Sequence, residues 1–309
     1  MMGCELCPRR CGARRKEGQA GACGAKGLRA ARAGLHQWEE PCISGKRGSG
    51  AVFFSGCPLG CVFCQNYQIS HEKEGKDLTA SQLARVFARL EEQGAHNINL
   101  VSPTPYVEEI IEALELYRPH VPVVYNTSGY ERVETLRRID PYVDIYLPDV
   151  KYVSPEISKK YSGVSDYFEM ASQALLFMLE QKPQAVFDED GMMRRGVILR
   201  HLVLPGNLRQ TYLLLDWMEE NIPKETYISL MGQYFPAGRA ADFPEINRRL
   251  KPGEYQRACS RLLGKGFEHG FFQDLESASG EYVPDFDLSG LEAEVCELLW
   301  EETEDHKKK

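Results

Sequence analysis

No stretch of this chain carries the roughly 18 consecutive apolar residues that a membrane-crossing helix needs. No charged-then-apolar leader is visible at its start. Positive charge is also short: 37 Lys and Arg stand against 45 Asp and Glu, a net charge of −8, which speaks against general nucleic-acid binding. These absences lead to the expectation of a cytoplasmic protein with no membrane partner and no clear nucleic-acid partner. In that compartment the 10 cysteines are reduced, and grouped cysteines point to metal or redox chemistry rather than to disulfides. With 309 residues, 43% hydrophobic and 27% charged, the chain can build one large α/β domain with a small appendage. The charge is uneven. Residues 1–32 set eight Arg and Lys against Glu5 and Glu17, a local +6 that leaves −14 for the remainder. That basic segment either offsets thiolate charge in a metal site or grips RNA or an acidic protein.

The most pointed signal is Cys57, Cys61 and Cys64 in the stretch FFSGCPLGCVFCQNYQIS. This C-x3-C-x2-C triplet lies on a loop with Pro58 and Gly60, directly after an apolar, strand-like run. Three thiolates so grouped can ligate three irons of a 4Fe–4S cluster, which is normally held by four cysteines. The iron left without a protein ligand is where a substrate or cofactor can chelate, so the odd number suits chemistry better than simple electron transfer. A zinc site would want a fourth ligand.

A second group, Cys4, Cys7, Cys11 and Cys23, falls in a segment rich in Cys, Gly and Arg with few large apolar residues. Such a segment can scarcely bury a core of its own, so a metal staple is expected. Four thiolates complete either a tetrahedral zinc site or a full set for a second Fe–S cluster.

From about Gly50 to Met231 strand and helix patterns alternate. Apolar runs read as strands at Ala51–Ser55, Ile98–Val101, Val121–Tyr125, Val143–Leu147, Val197–Leu204 and Tyr227–Leu230. Helical patterns lie between them, the clearest being a capping box, Thr79 to Gln82, followed by Leu83, Val86, Phe87 and Leu90 on one face. About six βα repeats predict a parallel sheet covered by helices, a partial (β/α)6 TIM-like barrel whose functional residues lie at the C-terminal strand ends. The expected division is a cysteine-rich segment at 1–35, the barrel domain at 36–275, and a C-terminal extension with a charged tail at 276–309. Several strand ends carry candidate binding groups. Ser102 and Thr104 follow the second strand and Asn126, Thr127 and Ser128 the third, although such hydroxyls and amides also serve ordinary turns and caps. Asp149 and Lys151 follow the fourth strand and, two apart, point the same way in extended chain. Arg200, inside the apolar fifth strand, must find an anion. His201 beside it reads as a hydrogen-bonded barrel histidine rather than a proton carrier. Gln233 and Tyr234 follow the sixth strand.

Taken together, CELCPRRCG, EEPCISG, GSGAVFFSGCPLGCVFCQNYQIS, NINLVSPTPY, VVYNTSGYE, VDIYLPDVKY, RGVILRHLVLPG and SLMGQYFPAG, spanning residues 4 to 238, resemble the radical S-adenosylmethionine (SAM) proteins related to pyruvate formate-lyase activating enzyme. The nearest likeness is to the activating-enzyme-like branch with an N-terminal cysteine cluster. The resemblance implies that SAM chelates the open iron of a 4Fe–4S cluster on Cys57, Cys61 and Cys64. It further implies that one electron from a flavodoxin or ferredoxin yields a 5′-deoxyadenosyl radical for hydrogen abstraction. It places Asp149 and Lys151 near the SAM carboxylate, Asn126 and Thr127 near a monovalent cation, and Arg200 at a matching arginine. The implied partner is a glycyl-radical enzyme. Two departures stand out: Ser102–Pro105 replaces a Gly-Gly-Glu stretch that binds the SAM amine, and Asn126 replaces an aspartate. Radical modification of a small molecule, peptide or RNA is a second reading, and a non-catalytic Fe–S or zinc scaffold a third.

Overall fold

The computed structural model describes residues 3–273, 275 and 283–292. In chain order its strands are β1 (Arg29–His36), β2 (Ser49–Phe54), β3 (Lys76–Asp77), β4 (Ile98–Val101), β5 (Val123–Thr127), β6 (Ile145–Pro148), β7 (Val186–Phe187), β8 (Met193–Leu202), β9 (Tyr227–Met231) and β10 (Gly270–Phe272). Its helices are α1 (Pro41–Ser44), α2 (Ala80–Glu92), α3 (Val107–Leu116), α4 (Val133–Ile139), α5 (Pro155–Ser162), α6 (Tyr167–Gln181), α7 (Leu208–Asn221) and α8 (Pro252–Leu263).

Every residue of β2, β4, β5 and β6 is buried. This is the mark of parallel strands covered on both faces, and it explains why these runs are predominantly apolar instead of alternating. The strand order is β10-β9-β8-β6-β5-β4-β2-β1-β3, with β7 paired to β8. From β2 through β10 the neighbours along this path are parallel, whereas β1 is antiparallel to β2 and to β3. The sheet is thus an open partial barrel: the six expected strands form its body, β10 extends it at one side and β1 with β3 at the other.

Helix α2 shows how the local sequence sets an element. Thr79 Oγ1 accepts from the Gln82 amide at 3.1 Å while Gln82 Oε1 accepts from the Thr79 amide at 2.9 Å, a cap worth about 1 kcal/mol. Leu83, Val86, Phe87 and Leu90 then face the core, each at most 2% exposed.

Registers align the rim. Phe53 pairs with Val101, Val101 with Asn126, and Asn126 with Leu147, so the residues just beyond them emerge at one level. Strand β5 ends two residues later than its apolar run suggests, which places Asn126 and Thr127 inside the sheet. The expected boundary at residue 35 falls inside β1, which is hydrogen-bonded to the barrel strand β2. Of the expected C-terminal extension, residues 283–292 return to β1 through Leu288 N–H to Ala31 O at 3.0 Å and Ala33 N–H to Ser289 O at 2.9 Å. The charged tail lies outside the described residues.

Candidate functional site

Beyond β2 the chain enters the cysteine loop through Ser55 and Gly56. Gly56 has φ +84, and a Cβ there would stand 2.7 Å from the Cys23 carbonyl oxygen. Only glycine permits both the left-handed backbone and this contact with the N-terminal segment. Arg9 Nε donates to the Pro58 carbonyl, a second tie between the two. On the other side the loop leans on α5, where Gly60 N–H donates to Ser162 O at 3.2 Å and Val62 N–H to Tyr161 O at 2.9 Å. Phe63 anchors it in an aromatic cluster, with ring centroids 6.4 Å from Tyr152, 6.4 Å from Tyr161 and 5.9 Å from Tyr234.

This scaffold brings Cys57, Cys61 and Cys64 to the wall of one cleft of about 240 Å³. Many of its other lining residues come from successive C-terminal strand ends: Ser102 after β4, Asn126, Thr127 and Ser128 at β5, Asp149 and Lys151 after β6, Arg200 in β8 and Gln233 after β9. Cys61 Sγ lies 3.0 Å from Ser162 Oγ, and Ser70 Oγ donates to Cys64 Sγ at 3.2 Å. Burial, reinforced by Cys61 and Cys64, pushes the Cys57 thiol well above its ordinary value. Burial likewise carries Cys61 to about 11 against the opposing pull of Lys151. Thiolates in such a place need a cation on the sulfurs, so a metal group suits this donor set. Three thiols on one wall suit a cluster, whose irons each take one cysteine. Serine hydroxyls at two of the sulfurs add donors of the kind that tune such a group.

The same cleft holds a charged network. Arg200 donates from Nε to Asp149 Oδ1 at 3.0 Å, from Nη1 to Glu39 Oε2 at 3.0 Å and from Nη2 to Asn126 Oδ1. Glu39 Oε1 accepts from Asn99 at 3.1 Å and from Asn126 at 3.0 Å. Lys151 Nζ pairs with Asp149 Oδ2. Burial opposes the Asp149 charge, yet Lys151 and Arg200 hold its carboxyl below its ordinary value. Burial opposes the Lys151 charge too, and Asp149 more than restores it. Lys151 keeps donors in reserve, since an ammonium has three. The Tyr167 hydroxyl fixes these strand ends, lying 2.8 Å from Ser128 O and 3.0 Å from Asp149 O and accepting from the Lys151 amide at 3.1 Å.

Two of the hydroxyl-bearing candidates stand elsewhere. Thr104 is buried and donates to Glu131 Oε1 at 2.5 Å, as Thr127 also does. Tyr234 is fully buried against Phe63, with its hydroxyl on Ile246 O at 2.7 Å, and so supports the cysteine loop from behind. His201 Nδ1 lies 2.7 Å from Val150 O and Nε2 2.9 Å from Thr211 Oγ1, and burial lowers it to about 4. It is a neutral structural histidine. Ser102 lines the cleft at φ +60, a left-handed conformation uncommon for a residue with a side chain. Glu39 was not singled out from sequence. Its only local signal is a pair of adjacent acids in EEPCISG.

The N-terminal cysteines lie together. Cys11 and Cys23 sulfurs stand 3.6 and 3.3 Å from the point where a Cβ on Gly21 would fall. Turns close through Gly12 N–H to Cys4 O and Arg10 N–H to Cys7 O, each 3.0 Å. Arg15 ties the segment to the second strand end, donating to Pro105 O and lying over the Tyr106 ring at 5.4 Å.

Several known proteins are similar to this chain. Residues 51–182 match the family described as the Radical SAM superfamily. A Methanocaldococcus jannaschii protein, the uncharacterized MJ0674, is 30% identical over 265 residues, covering 82% of this chain and 72% of its own length. Among solved structures, a domain of pyruvate-formate lyase-activating enzyme from Bacteroides vulgatus aligns with TM-score 0.38 and 12% identity over 63% of this chain and 91% of its own. SuiB from Streptococcus suis, bound to S-adenosylmethionine, aligns with TM-score 0.47 and 13% identity over 73% of this chain and 47% of its own. The FeFe-hydrogenase maturase HydG from Carboxydothermus hydrogenoformans gives TM-score 0.47 and 13% identity, over 75% and 56%. This chain thus spans about half the length of the latter two. With the family match lying across the cysteine loop and the strands that face it, the chain belongs to the radical SAM superfamily.

Proposed function

We propose that the cleft binds SAM between the cysteine wall and the charged wall and cleaves it reductively to start hydrogen abstraction. The observation that carries this reading is that Cys57, Cys61 and Cys64 line one cleft with Asn126, Asp149, Lys151 and Arg200. A 4Fe–4S cluster held by the three cysteines would supply one electron to the SAM sulfonium. The chain's own part is positional. Lys151 presents its remaining donors to the methionine carboxylate. Asp149, held ionised by Lys151 and Arg200, keeps that lysine charged and aimed. Ser102 and the carbonyls beside it take the place of an acid for the amine, while Ser128 and Gln233 offer polar groups to the ribose, with Thr127 held behind them on Glu131. Burial behind the Phe63 cluster keeps water from the loop.

For the substrate we favour a protein glycine Cα–H, with flavodoxin or ferredoxin as electron donor. What supports this is the apolar part of the cleft lining, where Trp38, 56% exposed, joins Phe235 and Val283 as a surface suited to a chain segment. The N-terminal cysteines we assign to a separate metal, zinc or a second cluster.

The test is anaerobic reconstitution with iron and sulfide, followed by dithionite and SAM, with 5′-deoxyadenosine and methionine measured by chromatography. Formation of both supports the reading. A reconstituted, reduced protein that forms neither would leave the scaffold interpretation.

A further inference from the structure

Just past the cysteine loop the chain turns back onto one of its own sulfurs. Ser70 and His71 lie on a single π-helical turn, Gln68–Glu72, a rare element that recurs at functional sites. Ser70 Oγ stands 3.2 Å from Cys64 Sγ and 2.9 Å from His71 Nδ1. A hydroxyl has one proton to donate, so the sulfur and the imidazole compete for it. The ring is fixed for that competition. It stacks on Tyr67 with centroids 4.2 Å apart and planes within 9° of parallel. Tyr67 in turn lies against Gly238, where a Cβ would collide with its ring. With Nδ1 turned to Ser70, Nε2 is the nitrogen left for the Gly60 carbonyl, which accepts from the ring. A carbonyl takes only a nitrogen that carries a proton, so in the neutral ring Nδ1 is the bare, accepting one. Burial lowers the proton affinity of His71 below its ordinary value, with Arg239 and Lys73 adding to it and Gly60 and Glu72 opposing, and so keeps the ring neutral at neutral pH.

We infer that His71 is a positioning residue for the cluster ligand Cys64: it draws the Ser70 proton away from the sulfur and so sets a low reduction potential. A hydrogen bond to a cluster sulfur favours the reduced, more negative state and raises the potential. Weakening that bond makes the reduced cluster a stronger electron donor. A sulfonium is hard to reduce, so this is the direction that reductive cleavage needs. The inference rests on the cluster proposed above for Cys57, Cys61 and Cys64, but not on what that cluster does.

The experiment measures the midpoint potential of the full, anaerobically reconstituted chain by EPR-monitored redox titration without SAM, with iron analysis to confirm equal loading. His71→Phe keeps a ring for Tyr67 but offers no acceptor. Its cluster should be reduced about tenfold more readily at a given applied potential, a rise of about 59 mV. His71→Leu should rise likewise and is read in its place if the phenylalanine variant fails to fold. Ser70→Ala should lie at or below the wild type, and Ser70→Thr, which retains the hydroxyl, should match the wild type. The Ser70→Ala/His71→Phe double variant should match Ser70→Ala, because no proton is left to compete for. A histidine variant whose potential equals or falls below the wild type's overturns the inference. So does a double variant lying above Ser70→Ala, which would show His71 acting by packing or charge instead of through Ser70. A protein that gives the expected pattern yet never cleaves SAM would sink the proposed function and leave the role of His71 standing.

Discussion

Glu131 offers a quantitative test of the site's foundations. Its carboxyl is 1% exposed and receives the hydroxyls of Thr104 and Thr127 on one oxygen, with the buried Tyr125 hydroxyl also acting on it. Burial disfavours the ionised form and raises Glu131 from 4.5 to about 7 despite those three hydroxyls. The sign follows directly. Below pH 4.5 folded and unfolded chains both hold the proton. As pH rises the unfolded chain releases it first, so stability falls until the folded carboxyl also ionises near 7. That displacement corresponds to about 3 kcal/mol lost between roughly pH 4.5 and 7.5. Glu131→Gln keeps an oxygen for the two threonines but cannot ionise. Urea unfolding of both proteins at pH 5, 6, 7 and 8 under anaerobic conditions should show the variant gaining about 3 kcal/mol on the wild type across that range, with other titrating groups cancelling in the comparison. Parallel pH profiles would refute the reasoning and mean that Glu131 is ionised in its burial site.

Replacing Cys57, Cys61 and Cys64 together by Ala should abolish SAM cleavage and the SAM-sensitive EPR signal of the reduced protein; unchanged 5′-deoxyadenosine formation would defeat the assignment. Asp149→Ala and Lys151→Ala should each weaken SAM binding about ten- to hundredfold with iron content unchanged, since a hydrogen bond to a charged group contributes about 1.5–3 kcal/mol. Equal affinity by calorimetry would make the pair purely structural. Metal analysis of the triple cysteine variant should find metal on Cys4, Cys7, Cys11 and Cys23, about one zinc or about four irons per chain, coupled to folding of that segment. A metal-free protein whose N-terminus resists protease would leave these four as buried thiols.

How much could be read from the sequence depended on the range of the interaction concerned. The cysteine loop was legible because its chemistry is packed into eight residues. The parallel strands were legible because burial on both faces leaves them predominantly apolar. Strand β1 was not. Its sequence RAARAGLH is mostly small and basic, and it is held by pairing to β2 and by residues 288–291, contacts that leave no local apolar run. Glu39 was missed for the same reason, since its partners Asn126 and Arg200 lie 87 and 161 residues further along. Thr104 and Tyr234 show the converse limit. Sequence placed their hydroxyls at strand ends, but nothing local indicated that one turns to Glu131 and the other to Ile246.

The contact between Gly56 and the Cys23 carbonyl has a consequence for maturation. The two cysteine groups meet across a seam one residue thick, closed further by Arg9 on Pro58. A nascent chain makes the N-terminal half of that seam first, but the half has little apolar surface with which to hold its shape. Until it sets, the loop bearing Cys57 lacks its N-terminal wall and rests on α5 and the Phe63 cluster. Closing the seam therefore completes the support of the Cys57 loop from the N-terminal side.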